Sequence, residues 1–215
     1  MKVLSWNVLL RKHEMKYNPT SEILKEFPIE SKRVKQIVQF LLSQKDTTDV
    51  FCLQECSKEL LSALQLSFAD LNVTYVNHKT DEYLVTISPK DFHFHKESKW
   101  ENKCSHGFFS VCNDTYRIIN CHLIPRKYCK ENVSDYMNNL PKDKITIIVG
   151  DFNNDFRYVR ENIGERYLVP RFNKTYKNRC QLDYIVLDMW PKWYRKKIFC
   201  QNPVLSDHNA IRLSF

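Results

Sequence analysis

The sequence predicts an α/β fold: one domain spanning residues 1–215, with packed β-sheets and helices on the outside. Roughly ten strand-like runs and three or four helical stretches follow one another in mixed order. Hydrophobic residues make up 43% of the chain and charged residues 27%, which is typical of a folded globular protein. No internal repeat, low-complexity segment or linker divides the chain, and 215 residues are enough to bury a sizeable core.

The N-terminal part of the chain combines buried strands with amphipathic helices. Val34, Ile37 and Leu41 recur at helical spacing and would lie on one face of a helix. Ser57 is a suitable N-cap, because its hydroxyl can accept a hydrogen bond from a free backbone N–H. The predicted elements are, in order, a short strand at 2–8, a polar loop at 9–30, a helix from Ser31, a buried strand at 49–55 and a helix at 57–68.

The remainder of the chain is mostly strand-like, with runs of β-branched and aromatic residues bounded by polar residues. One of these runs is almost wholly apolar and ends abruptly in Asp and Asn. The predicted elements are strands at 72–78, 82–88, 107–113 and 115–123, a helix at 130–140, the apolar strand at 145–153, and strands at 181–188, 195–200 and 208–215.

Glycine is scarce, at three of 215 residues, against a usual ~7%. This scarcity excludes a glycine-rich phosphate loop and a dinucleotide-binding fingerprint, both of which need several closely spaced glycines. A protein of this composition that handles phosphate must therefore hold it with side chains or with a metal ion.

The cysteines and the N-terminus point to an intracellular protein, cytoplasmic or nuclear. There are eight cysteines but no Cys-x-x-Cys pair, and several lie in apolar runs where a reduced thiol packs as a small hydrophobe. The N-terminal pattern is that of a strand rather than of a signal peptide. No apolar stretch approaches the ~20 residues of a membrane span, so we expect no stable membrane insertion, and we expect a monomer.

The net charge of +8 favours a polyanionic partner, although a basic solvated surface would give the same number. We expect the partner to be a nucleic acid substrate, either RNA or DNA.

Polar side chains follow several of the buried strands at the point where each strand ends. Any one of them is typical of a turn or an exposed strand end, but together their carboxylate and amide oxygens suit Mg²⁺ or Mn²⁺. A histidine oriented by an acid within an apolar strand would add the imidazole–carboxylate half of a triad. A divalent metal, a water-activating carboxylate and an imidazolium together indicate phosphate-ester hydrolysis. The residues concerned are Asn7, Glu55, His122, Asp151, Asn153, Asp183, Asp207 and His208.

The short motifs SWN, LQE, CHL, GDFN, LDYI and SDH occur in this order over nearly the whole chain. In this the chain resembles the endonuclease/exonuclease/phosphatase superfamily, the metal-dependent phosphodiesterases typified by pancreatic deoxyribonuclease. The motifs look closest to the deadenylase-like and tyrosyl-DNA phosphodiesterase branches, although the latter usually carry GDTN where this chain has GDFN. The resemblance implies a four-layer α/β sandwich of two packed, mostly antiparallel β-sheets flanked by helices, with a cleft at one end.

The resemblance also implies a role for each motif residue. Glu55 would hold Mg²⁺, with Asn7 and Asp207 in the same cluster. Asp151 would orient or deprotonate the attacking water with the help of Asn153. The remaining residues would act on the phosphate: His208, held by Asp183, would stabilise its developing charge, and His122 would hydrogen-bond a non-bridging oxygen.

Basic residues follow three of the motif strands and predict a positively charged rim around the cleft. The residues we expect to bind substrate are Arg11, Arg126, Lys127 and Arg157. Tyr128 and the aromatic, basic segment 190–197 would suit base stacking, but packing against the protein is an equally good interpretation.

The function predicted from the sequence is a Mg²⁺-dependent phosphodiesterase that hydrolyses nucleic acid, near strand ends, by metal-assisted attack of an activated water. The alternatives are a 5′-tyrosyl-DNA phosphodiesterase-type end-processing enzyme and a phosphatase acting on a phosphorylated metabolite or lipid. A binding module that keeps the fold without activity is disfavoured, because such a module would not need the metal, water and histidine positions together.

Overall fold

A computed structural model describes most of the chain. The described residues are 1–79, 81–95, 105–125, 128, 139–171, 174–177, 179–188, 197–201 and 205–214. In these residues twelve strands form two six-stranded sheets, accompanied by five α-helices.

The first sheet has the strand order β11-β12-β1-β2-β4-β3. Its strands are β1 (Lys2–Asn7), β2 (Val50–Cys56), β3 (Asn72–Lys79), β4 (Glu82–Ser88), β11 (Lys197–Gln201) and β12 (Ala210–Ser214). The central strands β1 and β2 are parallel, and all the other pairs in this sheet are antiparallel.

The second sheet has the order β5-β6-β7-β8-β10-β9 and the same plan. Its strands are β5 (His93–His95), β6 (Ser105–Cys112), β7 (Tyr116–Leu123), β8 (Ile145–Asp151), β9 (Tyr167–Leu168) and β10 (Asp183–Asp188). Again the central pair, β7 and β8, is parallel and the other pairs are antiparallel. The prediction of mostly antiparallel sheets is therefore confirmed.

The helices cover the outer faces of the sheets. They are α1 (Arg11–Tyr17), α2 (Glu22–Glu26), α3 (Glu30–Ser43), α4 (Lys58–Ser67) and α5 (Phe156–Asn162). One apolar cluster joins α3 and α4 to the first sheet, a second lies between the sheets, and a third joins α5 to the second sheet. Successive residues of β1 follow this division, since Val3 points to the other sheet and Leu4 to the helices. These clusters confirm the four-layer α/β sandwich.

The predicted loop at 9–30 is wrong in part, because it contains α1 and α2. These helices have seven and five residues, too few for a periodic apolar face to show in the sequence. The two-residue strand β9 also escaped prediction. The predicted helix at 130–140 lies outside the described residues apart from its last two.

Among the residues that the structure describes, no helix has the length and apolar character needed to cross a membrane. The cysteines in the described ranges are all free thiols: Cys52, Cys56, Cys112, Cys121, Cys180 and Cys200. Burial raises the pKa of the Cys52 thiol to about 12, so this side chain packs as an uncharged apolar group.

Candidate active site

The candidate site lies where the central strands of both sheets end. In the first sheet, the parallel register of β1 and β2 brings Asn7 and Glu55 to the same edge. In the second, Asp151 at the end of β8 pairs with His122 on β7 and with Asp183 on β10. Residues paired directly across neighbouring strands direct their side chains to the same face. Strand register thus gathers motif residues from five strands at one end of the sandwich.

Asn7 connects the two sheets at this end. Its side-chain amide donates hydrogen bonds to Glu55 Oε1 and to Asp151 Oδ2, both at 3.0 Å. Its own oxygen, Oδ1, accepts a hydrogen bond from the Leu9 N–H at 3.0 Å. Because the Asn7 side chain is fully buried, these bonds fix one carboxylate from each sheet about a single point.

The Glu55 carboxylate is held on its other side as well. Its Oε2 accepts hydrogen bonds from the Leu10 N–H and from His13 Nδ1, both at 3.0 Å. Burial alone would raise the pKa of Glu55, but the bond from His13 and the charge of His122 outweigh it and hold the pKa well below its ordinary value. Glu55 is therefore ionised and oriented.

Two residues of the candidate site, His13 and Glu82, were not predicted from the sequence. His13 Nε2 lies 3.6 Å from Glu82 Oε2, and His122 Nδ1 lies 3.3 Å from Glu82 Oε1. His122 Nε2 lies 3.7 Å from Glu55 Oε1, which closes a ring of alternating imidazoles and carboxylates. His13 lies in the polar stretch predicted as a loop, and Glu82 was only the first residue of a predicted strand.

His208 occupies the opposite side of Asp151. Its Nδ1 donates a hydrogen bond to Asp183 Oδ2 at 2.9 Å, and its Nε2 lies 3.7 Å from Asp151 Oδ2 and 3.9 Å from Asp207 Oδ1. Burial works to lower the pKa of His208, but the surrounding carboxylates, Asp183 foremost, raise it well above its ordinary value. The arrangement supplies a fixed imidazolium beside Asp151.

Asp151 itself has an unusual environment for a carboxylate. Burial raises its pKa to about 6, although the neighbouring His208 acts in the opposite direction. Its Oδ1 accepts a hydrogen bond from the Asn153 N–H at 2.8 Å, while the Asn153 side chain donates to the Leu123 carbonyl at 3.0 Å. Asn153 therefore supports Asp151 through its backbone in this structure.

Backbone conformations that are rare for residues other than glycine cluster around the site. Leu9, Glu55 and Asn153 have φ angles of 60°, 56° and 50°. Such conformations persist where the surrounding structure over-determines them, and they concentrate at functional sites.

Arg33 on α3 holds two of the loops that carry site residues. Its guanidinium is buried and donates to the carbonyls of Val8 and Leu205 from Nη1, at 2.7 and 3.1 Å, and to that of Leu9 from Nη2, at 2.8 Å. The charge is balanced by Glu30, one turn earlier on the helix. The segment after Asn7 and the segment before His208 are thus both hydrogen-bonded to the same guanidinium.

The residues present fit a divalent metal ion. Ligand atoms of Glu55, His122 and Asp151 all lie within 4.8 Å of one another, and the amide of Asn7 lies among them. Asp207 Oδ1 is buried and has no hydrogen-bond donor in the described part of the chain, as expected for an oxygen that faces a cation. The carboxylate oxygens of this cluster are donors that Mg²⁺ and Mn²⁺ prefer, whereas Asn7 turns its NH2 group, and not its oxygen, toward Glu55 and Asp151.

The predicted substrate-binding residues are spread over different environments. Arg126 and Lys127 lie outside the described residues. Arg11 lies on α1, where its guanidinium donates to the carbonyls of Phe27 and Pro28. A contact of Arg11 with substrate would have to replace these bonds.

Arg157 is 86% exposed at the start of α5 and pairs with Glu161 at 2.9 Å. Lys177, which sequence reasoning did not single out, lies 3.5 Å from Asp207 Oδ2 and over the ring of Tyr176. The Tyr176 ring in turn lies 4.8 Å from the His208 ring. A cation and an aromatic ring therefore border the site on the His208 side.

No protein-family model matches the chain, and no curated protein matches it either. Solved structures do match. TDP2 from D. rerio, in complex with a single-strand DNA product, has a TM-score of 0.69 at 15% identity over 99% of this chain and 97% of that one.

Two further matches extend over essentially the full length of both proteins. An endonuclease/exonuclease/phosphatase family protein from Leptotrichia buccalis has a TM-score of 0.65 at 17% identity, covering 100% of this chain and 99% of that one. The 3′ phosphatase NExo from Neisseria, bound to a product DNA hairpin, has a TM-score of 0.61 at 15% identity, with the same coverage. The chain therefore has the fold of the endonuclease/exonuclease/phosphatase family, as its motifs predicted, with TDP2 structures among its neighbours.

Proposed function

We propose that this protein is a Mg²⁺-dependent phosphodiesterase that hydrolyses nucleic acid near strand ends. The observation that carries the proposal is the position of Asp151 between two different groups. On one side Asn7 joins it to Glu55, with both bonds at 3.0 Å, and on the other His208 Nε2 lies 3.7 Å away. Metal ligands, a base and an imidazolium thus surround one volume, as phosphate-ester hydrolysis requires.

The metal would be held by Glu55 and Asp207, with Asp151 beside them, and Asn7 would position the Glu55 and Asp151 carboxylates through its side-chain NH2 group. When bound, Mg²⁺ would neutralise charge on the phosphate and make a water molecule more acidic. Asp151 would take the proton of the attacking water, and its raised pKa of about 6 suits a base that works near neutral pH.

The two histidines would act on the phosphate oxygens. His208, kept cationic and fixed by Asp183, would stabilise the charge that develops there. His122 would donate a hydrogen bond to a non-bridging oxygen, from a ring held in place by Glu82. Positioning and electrostatic stabilisation, which are the main contributions in such reactions, would therefore come from residues fixed before substrate binds.

The choice of a nucleic acid end as substrate draws support from charge and from fold. The chain carries a net charge of +8, and Lys177 places a cation at the border of the site. TDP2 and NExo, which share the fold, were crystallised with a DNA strand and a DNA hairpin as products. The likeness to TDP2 favours removal of a 5′-tyrosyl adduct as the second candidate reaction.

The proposed location is inside the cell, cytoplasmic or nuclear. The buried free thiols of Cys52, Cys56 and Cys121 are compatible with the reducing conditions there.

A substrate panel tests the proposal. Single-stranded RNA, single- and double-stranded DNA, an abasic duplex, a 5′-phosphotyrosyl oligonucleotide, a 3′-phosphorylated oligonucleotide and an inositol phosphate would be assayed with Mg²⁺ and with EDTA. We expect cleavage of at least one nucleic acid substrate that EDTA abolishes. Preference for the inositol phosphate would contradict the proposed substrate class.

Two variants test the mechanism on the best substrate. Asp151→Asn and His208→Ala should each lower kcat by about 10²-fold or more, because each removes a group that acts on the reacting atoms. Matched controls are Asp70→Asn and His93→Ala, both at exposed positions away from the site, which should keep full activity. Full activity in either site variant would contradict the roles given to Asp151 and His208.

A further inference from the structure

We propose that His13 is a positioning residue for Glu55, which holds one carboxylate oxygen so that the other faces the metal cluster. The inference rests on the proposed function only in taking Glu55 as a metal ligand. It assigns a role to α1, a short helix whose presence the motifs did not indicate.

The two oxygens of Glu55 have different surroundings. Oε2 accepts two hydrogen bonds, from the Leu10 N–H and from His13 Nδ1, at 3.0 Å each. Oε1 lies 3.0 Å from Asn7 Nδ2, which is itself 3.0 Å from Asp151 Oδ2. Oε2 is thus occupied by two donors at the start of α1, while Oε1 is turned toward Asn7 and, beyond it, the Asp151 carboxylate.

Both donors to Oε2 lie at the start of α1, because Leu10 is its N-cap residue and His13 is in its first turn. The N–H groups of His13 and Glu14 bond to the Leu10 carbonyl, so α1 starts directly behind the loop that follows Asn7. The short helix therefore presents a backbone amide and an imidazole to one carboxylate oxygen.

His13 is fixed from its far side by Glu82. The Nε2 of His13 lies 3.6 Å from Glu82 Oε2, and the Glu82 side chain is buried. The imidazole cannot rotate away from Glu55 without leaving this second carboxylate as well.

The same geometry argues against His13 as a metal ligand itself. A ligating histidine directs the lone pair of a neutral nitrogen at the cation. Both ring nitrogens of His13 instead face carboxylate oxygens, Glu55 at 3.0 Å and Glu82 at 3.6 Å. A residue that hydrogen-bonds a metal ligand without binding the metal orients that ligand. Its loss commonly weakens metal binding by about 10- to 100-fold.

Direct metal binding tests the inference without a substrate. Mn²⁺ would be titrated into the wild-type protein, His13→Ala and His13→Gln, with free Mn²⁺ followed by electron paramagnetic resonance. We expect His13→Ala to weaken Mn²⁺ binding about tenfold or more. His13→Gln, which keeps one donor toward Oε2, should recover part of that loss. A purely structural role would lower the thermal midpoint of both variants without this graded loss of affinity.

The controls are Lys12→Ala, the exposed neighbour on α1, and His93→Ala, an exposed histidine on β5, both of which should bind Mn²⁺ as the wild type does. Unchanged affinity in His13→Ala would overturn the inference, as would a wild-type protein that binds no Mn²⁺. Equal losses in the alanine and glutamine variants would overturn it too. A protein that binds Mn²⁺ but cleaves no substrate of the panel would instead contradict the proposed function and leave the role of His13 standing.

Discussion

The contact between His208 and Asp183 shows how a buried carboxylate orients an imidazole and contributes to its charge state. Asp183 is buried, lies at the first position of β10, and accepts a hydrogen bond from His208 Nδ1 at 2.9 Å. Burial disfavours a charged imidazole, so without its acidic neighbours His208 would lose its proton. The orientation and the charge of His208 therefore depend on the same residue.

The raised pKa of His208 predicts whether the stability of the protein rises or falls with pH. The pKa of His208 is raised above its ordinary 6.5, so its contribution to stability is fully present below 6.5 and is lost as the pH rises through the raised value. Asp183→Asn should lower this pKa, and each unit of lowering corresponds to about 1.4 kcal/mol of lost interaction.

The measurement is urea unfolding of the metal-free protein at several pH values between about 6 and about 9. The wild type should lose stability with rising pH more steeply than Asp183→Asn, and the imidazole NMR titration of His208 should shift downward in the variant. Parallel pH profiles would contradict the assigned pairing.

Individual site residues differed in how far the sequence revealed them. Asn7, Glu55 and Asp151 could be found because each ends a buried strand, where a polar residue breaks an apolar pattern. His13 and Glu82 could not, because neither interrupts such a pattern in the sequence. Glu82 becomes a buried acid only when β4 is placed across from β7, where His122 lies 3.3 Å away.

Among the strands, β8 depends on a glycine directly before Asp151. Gly150 has a φ of 143°, and a Cβ added there would overlap the carbonyl oxygen of Cys121 on β7. The close approach lets β7 and β8 pair up to their ends, where His122 and Asp151 lie side by side. One of the three glycines of the chain is thus required by the site itself.

Gly150→Ala should therefore disturb both the strand pair and the position of Asp151. We expect a loss of stability of about 1–3 kcal/mol, typical of overpacking, together with weaker Mn²⁺ binding. Urea unfolding and metal titration would measure the two effects separately.

Gly164→Ala is the matched control, since Gly164 also has a positive φ, 89°, but follows α5. It should cost stability and leave Mn²⁺ affinity unchanged. Normal metal affinity in Gly150→Ala would show that β8 can absorb the extra atom without moving Asp151.

Elements whose apolar residues recur with a regular period could be predicted from the sequence. Elements that are held by contacts with residues far away in the chain could not. Residues of α3 repeat apolar side chains over fourteen positions, and Ser57 caps α4 as its sequence indicated. The helix α1 has seven residues, one of them buried, and no side chain caps its start. Its position depends on bonds to Glu55, which lies more than forty residues away in the chain.

At the scale of the whole molecule, a buried amide links the two sheets beneath the site. Asn120 on β7 donates to the carbonyls of Leu53 and Val85 in the first sheet, at 3.2 and 2.9 Å, and accepts from Gln54 Nε2 at 2.8 Å. The hydroxyls of Ser5 and Thr86 join this polar group, at 3.3 Å from Gln54 Nε2 and from Asn120 Nδ2, and apolar side chains pack around it between the sheets. Directional bonds within an apolar interface fix how one sheet sits on the other, which apolar contacts alone do less strictly.

Replacing Asn120 with leucine should be costly because it leaves buried polar partners unsatisfied. We expect a loss of about 2–5 kcal/mol in the free energy of unfolding, measured by urea with an unchanged m-value. Asn72→Leu is the control, since Asn72 also donates to two carbonyls, Lys90 and Phe92, but near the surface. It should lose less than half as much, and equal losses would contradict a special role for the inter-sheet bonds.

The guanidinium of Arg33 ties two loops beside the candidate site to one helix. By binding the carbonyls of Val8 and Leu205, it couples the loop after β1 to the loop before β12 and both to α3. Either loop can therefore shift relative to α3 only by breaking a buried, charge-assisted hydrogen bond, which disfavours independent movement of the two loops.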